Sequence, residues 1–186
     1  MNERISKAYE FSQEKHGTQV RKFSNQSYFS HPKEVANIIE NLTKDEDLII
    51  VALLHDTIED TSATYDEIKN LFGKKIADLV LELTSNDKNA IKKYGKSLYL
   101  GMKMSEMSQE ALVVKLADRL HNIKNLENDN IPFEFIEKYY RETWTILDMI
   151  KYEENYYECK ELDYIRDLLI ERIEVILKFL EVRYGL

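Results

Sequence analysis

The chain has 186 residues, of which 44% are hydrophobic and 32% are charged, and its formal net charge at pH 7 is −8. This length suits one domain with its own core, and the mixed composition argues against a disordered chain. The acidic balance argues against general nucleic-acid binding, and the single cysteine excludes an internal disulfide and a cysteine-rich zinc site.

Apolar residues follow helical spacing along almost the whole chain, without the sustained alternation that is typical of strands. A first helix is predicted over residues 2–16, a polar loop over 17–30, and a second helix that begins at Pro32. A very apolar helix is predicted over residues 47–60. Its run Leu48–Leu54 is the longest apolar stretch and falls short of the ~20 residues that a membrane span needs. Because the N-terminus also lacks the apolar segment of a signal peptide, we expect a cytoplasmic protein without membrane partners.

The second half of the chain continues the helical pattern. Thr64 and Glu67 have the spacing of a capping box that starts a short helix, and Gly73 is predicted to end it. The polar, lysine-rich stretch 85–96 is predicted to be a loop. Further helices are predicted over residues 74–84, 97–107, 109–126, 132–153 and 160–184. We therefore expect an all-α fold in a single domain over residues 1–186.

The apolar helix ends in four polar side chains that can carry chemistry: His55, Asp56, Glu59 and Asp60. Burying such groups is unfavourable unless they are paired or bind a metal. On a continuous helix, His55 shares a face with Glu59, and Asp56 with Asp60. Imidazole and carboxylate groups together suit Mn, Fe, Zn or Mg ions. The alternative is a helix end that frays into solvent, with its acidic groups simply hydrated.

Three further segments, around Arg21, His31 and Asp118, have suitable chemistry at a distance. His31, the pair His55-Asp56 and Asp118 form an ordered H…HD…D set that resembles the signature of the HD phosphohydrolase superfamily. The finer pattern resembles the hydrolase domain of the RelA/SpoT alarmone enzymes and the single-domain small alarmone hydrolases, such as the metazoan SpoT homologue. The matching motifs are, in chain order, HGTQVRK (16–22), YFSHP (28–32), ALLHDTIEDT (52–61), FGKKIA (72–77) and KLADRLHN (115–122). They lie within residues 16–126, and residues 127–186 are left as C-terminal helices.

The resemblance implies one Mn²⁺ ion per chain, held by four ligands: His31, His55, Asp56 and Asp118. Two imidazoles and two carboxylates would leave coordination positions open for water and a phosphate oxygen. The alternative for His31 is a helix N-cap before Pro32, and the alternative for Asp118 is a salt bridge with an arginine. We expect Lys115 to meet a carboxylate and Arg119 to be an internal ion-pair partner.

The resemblance also implies that Glu59 orients or deprotonates the attacking water and that Asp60 assists it. Arg21 and Lys22 match the pair that the family uses on its nucleotide, and Asn122 matches a contact to the nucleoside. For Glu59 and Asp60 the alternative is a pair of acids at a helix end. For Arg21 and Lys22 it is a solvated pair in a loop, and for Asn122 it is a helix-terminal cap.

The function implied is removal of the 3′-pyrophosphate from ppGpp or pppGpp, which yields GDP or GTP and pyrophosphate. One alternative is a phosphatase of the same fold that acts on NADPH, ppApp or a nucleoside phosphate. Another is a non-catalytic nucleotide-binding or antitoxin module, against which the complete Glu59-Asp60 pair argues. The chain departs from the family at Asn125, where threonine is common, and after Glu142-Thr143, where a tyrosine and proline pattern is missing. These departures lie on the nucleoside side, so we expect activity beyond guanosine alarmones.

Overall fold

The computed structural model describes residues 2–127, 130–151 and 159–186. Within these ranges there are eleven α-helices and one 3-10 helix, and the only strand-like pairing is an isolated bridge between Val20 and Ser27. The predicted all-α fold is therefore confirmed. The chain divides into two compact units, Met1–Asn86 and Asp87–Leu186, and the single domain expected over residues 1–186 stays a prediction.

The first unit is built around its most apolar helix. Its helices are α1 (Glu3–His16), α2 (Ser30–Leu42), α3 (Glu46–Leu54), α4 (Thr57–Asp60), α5 (Tyr65–Phe72) and α6 (Lys74–Leu83). Every residue of the run Leu48–Leu54 is buried, and α3 contacts α1, α2 and α6. Removing this much apolar surface from water is the main stabilising contribution to such a unit. The same packing holds the C-terminal end of α3 in place, directly before His55 and Asp56.

The continuous helix predicted over residues 47–60 is wrong. Helix α3 ends at Leu54, and His55 and Asp56 lie in a turn before α4 begins at Thr57. Side-chain donors occupy the carbonyls that a longer helix would use: His55 Nδ1 bonds the oxygen of Ala52 at 2.8 Å, and the Thr57 hydroxyl donates to Leu54 at 2.7 Å. Such side-chain bonds compete with the helical backbone bonds and so allow the helix to end.

The start of α2 also differs from the prediction. The helix begins at Ser30 rather than Pro32, and the backbone N–H of His31 bonds the Tyr28 carbonyl at 2.9 Å. Pro32 is tolerated there because the first N–H groups of a helix have no partner within the helix. His31 therefore lies in the first turn, so the N-cap alternative is wrong.

The ends of α5 agree with the prediction. Thr64 and Glu67 form the capping box, and Gly73 follows the helix with φ of 94°. This φ lies in a region that side chains with a Cβ rarely adopt, which explains glycine at that position.

The second unit contains the remaining helices: α7 (Lys88–Tyr94), α8 (Lys96–Ser105), α9 (Gln109–Lys124), the 3-10 helix (Asn125–Glu127), α10 (Phe133–Lys151) and α11 (Lys160–Tyr184). Helix α8 packs on α10, and α9 packs on α11. Helix α11 matches its predicted bounds, whereas residues 152 and 153 of the predicted helix 132–153 lie outside the described residues. In the part of the chain that the structure describes, no helix is long and apolar enough to cross a membrane.

The loop predicted over residues 85–96 is wrong, because it contains α7. The Asp87 side chain accepts the backbone N–H groups of Asn89 and Ala90 at 2.9 and 3.0 Å and so caps the helix. Gly95, with φ of 82°, follows its last residue. A good N-cap can contribute about 1 kcal/mol, enough to favour a short polar helix that apolar periodicity does not indicate.

A buried ion pair joins α9 to α10. Arg119 Nη1 lies 2.9 Å from Glu142 Oε1, and both side chains are at least nine-tenths buried. The Arg119 guanidinium also lies over the Tyr139 ring, 4.7 Å from its centroid. The expectation of an internal ion pair for Arg119 is confirmed, and its partner is the Glu142 that the family motif retains.

Because a buried charge that loses its partner is strongly unfavourable, Glu142→Ala should lower the free energy of unfolding by about 3–5 kcal/mol. Chemical denaturation of the variant and the wild type measures this difference. Glu137→Ala is the control, because Glu137 pairs with Arg141 on the exposed side of the same helix. It should cost no more than about 0.5 kcal/mol. Equal losses for the two variants would contradict a structural role for the buried pair.

Candidate active site

Three of the predicted metal ligands lie together in the first unit. His31 is in the first turn of α2, and His55 and Asp56 form the turn between α3 and α4. Asp56 Oδ2 lies 3.2 Å from His55 Nε2 and 3.6 Å from His31 Nε2. The two rings meet edge to face with their centroids 5.2 Å apart, and a ligating nitrogen of each ring lies within 4.8 Å of the other.

The chemistry of this cluster suits a divalent metal ion. The three side chains are buried, with at most 8% of each residue exposed. Since the Ala52 carbonyl accepts from His55 Nδ1, the proton of this ring belongs on Nδ1, and Nε2 has a lone pair for coordination. A histidine ligand commonly donates its other ring nitrogen to a carbonyl in this way. The first unit thus contains a buried His/Asp cluster that could hold a metal.

Glu59 and Asp60 lie on the short helix α4 and are exposed, directly after the buried cluster. Glu59 Oε2 accepts the backbone N–H of Ser85 at 2.6 Å. Asp60 Oδ2 accepts the hydroxyl of Tyr28 at 2.9 Å, and the Asp60 carbonyl accepts from Gln19 Nε2 at 2.7 Å. Both carboxylates are therefore held in place and are accessible to water, as proton transfer to or from a substrate water requires.

Arg21 and Lys22 lie in the segment between α1 and α2. Backbone bonds order this segment: Arg21 N–H bonds the Gln26 carbonyl at 3.1 Å, and Tyr28 N–H bonds the Gln19 carbonyl at 2.8 Å. Lys22 is exposed, and its ammonium lies 5.1 Å from the centre of the Phe23 ring. The pair is presented on an ordered segment, and nucleotide contact by it stays a prediction.

Asp118 and Asn122 lie one turn apart on α9 of the second unit. Asn122 Nδ2 donates to Asp118 Oδ1 at 2.6 Å, and Lys115 Nζ lies 3.0 Å from Asp118 Oδ2. Asp118 is buried, and the expectation that Lys115 meets a carboxylate is confirmed by this contact. The helix continues to Lys124, so Asn122 is not a terminal cap. Metal ligation by Asp118 and nucleoside binding by Asn122 both stay predictions.

Three residues around the site were not predicted from the sequence. Tyr28 bonds Asp56 and Asp60, Gln19 bonds the backbone of Asp60, and the backbone of Ser85 bonds Glu59. Tyr28 and Gln19 both belong to the motifs quoted above, so their place in those motifs was the available signal. Ser85 acts through its backbone, which its residue type does not reveal.

The known proteins that are similar to this chain point to one domain family. A family model described as an HD domain matches residues 8–147. The chain is 47% identical over 126 residues to a GTP pyrophosphokinase rsh of Brucella ovis, covering 66% of this chain and 17% of that protein. It is 42% identical over 125 residues to a guanosine-3′,5′-bis(diphosphate) 3′-pyrophosphohydrolase of Aquifex aeolicus, covering 67% and 18%. The chain thus spans less than a fifth of the length of these curated relatives.

Solved structures of similar size also match. One is a metazoan orthologue of SpoT that hydrolyses ppGpp, with a TM-score of 0.74 and 25% identity, covering 92% of this chain and 96% of that one. Another is a protein of Listeria monocytogenes EGD-e, with a TM-score of 0.62 and 23% identity, covering 83% and 99%. The second likeness supports the fold alone.

Proposed function

The chain belongs to the HD-domain family, and we propose that it is a metal-dependent phosphohydrolase that removes the 3′-pyrophosphate of ppGpp or pppGpp. One water is consumed, and the products are pyrophosphate with GDP or GTP. The observation that carries the proposal is the buried His31, His55 and Asp56 cluster, followed directly by the exposed Glu59-Asp60 pair. A solved protein with the same fold, similar along 96% of its length, hydrolyses ppGpp.

In this proposal four side chains hold one divalent ion, which we take to be Mn²⁺: His31, His55, Asp56 and Asp118. A bound divalent ion supplies Lewis-acid chemistry, because it lowers the pKa of water and polarises a phosphate oxygen. It also supplies positive charge that a chain of net charge −8 needs beside an anionic substrate. Asp118 joins this set on the evidence of the sequence motif.

The remaining residues of the proposed site act on the water and the nucleotide. Glu59 accepts a proton from the attacking water, and Asp60 assists from the next position on α4. Arg21 provides a planar cation for the base, and Lys22 a point charge for a phosphate. Asn122 provides a hydrogen bond to the nucleoside. We propose that the chain acts in the cytoplasm on this small nucleotide, without a nucleic-acid partner, and its single cysteine supports a reducing compartment.

A substrate panel tests the proposal. The purified chain is incubated with Mn²⁺ and ppGpp, pppGpp, ppApp, NADPH or nucleoside mono- and triphosphates, and products are separated by anion exchange. Release of pyrophosphate from ppGpp and pppGpp, abolished by a chelator and restored by Mn²⁺, is the expected result. Failure to hydrolyse any of these nucleotides would favour a non-catalytic nucleotide-binding or antitoxin module.

One observation favours a second, related candidate. Asn125, where family members commonly have threonine, donates its side-chain amide to the His121 carbonyl at 2.7 Å. This local bond uses the side chain of Asn125, which is on the expected nucleoside side. The side chain would then not help to select the base or the sugar, and the substrate preference would be broader. In the panel, turnover of ppApp or NADPH at a rate similar to that of ppGpp would support the broader phosphatase, and strict guanine preference would contradict it.

Arg21→Ala should lower kcat/KM by about ten- to hundredfold, because losing a charge-assisted contact typically costs about 1.5–3 kcal/mol. The bound metal content should not change, since Arg21 is outside the proposed ligand set. Steady-state kinetics and metal analysis measure both quantities. Arg172→Ala is the matched control, because Arg172 is exposed on α11. Unaltered kinetics of the Arg21 variant on every substrate would remove this residue from the site.

A further inference from the structure

The hydroxyl of Tyr28 lies between two carboxylates that the proposed mechanism uses differently. Its oxygen is 2.8 Å from Asp56 Oδ2 and 2.9 Å from Asp60 Oδ2. Asp56 precedes α4 as a proposed metal ligand, and Asp60 is the last residue of α4 and a proposed catalytic group. One side chain from the segment before α2 thus bridges a ligand and a proton-handling residue.

We propose that Tyr28 is a positioning residue, whose hydroxyl fixes the ligand carboxylate of Asp56 and the catalytic carboxylate of Asp60 relative to each other. This inference rests on the proposed function, because it assigns those two roles to Asp56 and Asp60. Tyr28 itself touches neither substrate nor product in this assignment.

The bond to Asp56 involves the oxygen that faces the two histidines. Asp56 Oδ2, which accepts from Tyr28, is also the atom that lies nearest to His55 Nε2 and His31 Nε2, at 3.2 and 3.6 Å. A carboxylate oxygen has two lone pairs, so it can accept the hydroxyl and still have one for a metal ion. The hydroxyl therefore selects the side-chain rotamer in which this oxygen points at the imidazole nitrogens.

The bond to Asp60 brings a second carboxylate to the same hydroxyl. A phenol has one proton, so it donates fully to one acceptor at a time or is shared between both. Tyr28 thus places one hydroxyl donor between two carboxylates, and a hydrogen bond shared between them reduces the repulsion of two like charges held close together.

The ring of Tyr28 is held independently of its hydroxyl. It stacks on the buried ring of His16, with centroids 4.8 Å apart, and meets His31 edge to face at 5.9 Å. His16 Nδ1 bonds Gln19 Oε1 at 2.9 Å, and Gln19 in turn donates to the Asp60 carbonyl. A phenylalanine at position 28 can keep this packing, so the hydroxyl can be removed alone.

The test compares Tyr28→Phe with Tyr65→Phe. Tyr65 is a matched control, because its hydroxyl donates to the Asp78 carboxylate at 2.8 Å on the exposed surface between α5 and α6. Mn²⁺ affinity is measured by calorimetry without substrate, and kcat and KM are measured at saturating metal. Tyr28→Phe should weaken Mn²⁺ binding by about 10–100-fold, the usual effect of removing a partner that orients a ligand. It should also lower kcat with little change in KM, and Tyr65→Phe should change none of these.

Each outcome decides the inference. Wild-type Mn²⁺ affinity in Tyr28→Phe overturns it, even if kcat falls, because only the Asp60 bond would then matter. A Tyr28→Leu variant removes the ring as well, and a loss of affinity in this variant alone would assign the effect to packing and overturn the role of the hydroxyl. Weakened Mn²⁺ binding in a chain that does not hydrolyse ppGpp would support the positioning role and contradict the substrate assignment. A wild-type chain that binds no divalent ion would overturn both.

Discussion

Glu59→Gln should lower kcat by about 10²–10⁴-fold, the range typical for removal of an acid–base group. Glutamine is nearly the same size and keeps an oxygen that can accept the Ser85 N–H, which Glu59 Oε2 accepts at 2.6 Å. The variant therefore keeps the anchor of the side chain and loses the carboxylate that would take the proton of the water. Because Glu59 is outside the proposed ligand set, the Mn²⁺ affinity should stay at the wild-type value.

Single-turnover kinetics and calorimetry on the same preparation separate these two quantities. Glu10→Gln is the matched control, because Glu10 is an exposed residue of α1 and should have wild-type rate and affinity. A Glu59→Gln enzyme with normal kcat would remove the proton-handling role from this residue. A Glu59→Gln enzyme that loses Mn²⁺ would instead make Glu59 a ligand.

The parts of the fold that the sequence predicted are those determined by local signals. The capping box of Thr64 and Glu67 and the stop at Gly73 depend on neighbouring residues alone, and both are present. The apolar run Leu48–Leu54 has no polar face, and the helix that contains it, α3, packs against α1, α2 and α6. Periodicity and capping chemistry are enough to identify such elements.

The break at His55 and Asp56 depends on competition that periodicity does not record. A helical wheel continues through residues 47–60, but the side chains of His55 and Thr57 bond the carbonyls of Ala52 and Leu54. Residue type permits these bonds without requiring them, so periodicity alone does not decide between a continuous and a broken helix. The consequence for the site is substantial, because the break gives His55 and Asp56 a geometry that a regular helix would not.

The supporting contacts of the site lie furthest from what a sequence can predict. Tyr28 meets Asp60 across 32 positions of the chain, and Ser85 meets Glu59 across 26. Such pairings depend on how α1, α4 and α6 pack, and no local pattern encodes the distance between two particular atoms. The motif predicts which residues carry chemistry, and the structure adds how those in the first unit are held.

Asp118→Asn should weaken Mn²⁺ binding by more than ~100-fold and lower kcat/KM in parallel. Removing a residue that only supports a ligand typically costs ~10–100-fold, and loss of a ligand should exceed this. Asparagine keeps the size of the side chain and a carbonyl oxygen, but not the negative charge that a hard divalent ion favours. Within the second unit, Asp118 already accepts from Asn122 and lies beside Lys115. Because the two side chains have nearly the same size, the substitution should leave the helix intact while changing the donor.

Combining Asp118→Asn with His55→Gln tests whether residues of the two units hold the same ion. If both residues ligate one metal, either substitution alone removes most of the same activity. The activity of the double variant should then be little lower than that of the less active single variant. If Asp118 acts elsewhere, the two losses should multiply. Asp148→Asn on the exposed side of α10 is the control and should keep wild-type affinity and rate. Wild-type Mn²⁺ affinity in Asp118→Asn, or losses that multiply in the double variant, would exclude Asp118 from the ligand set.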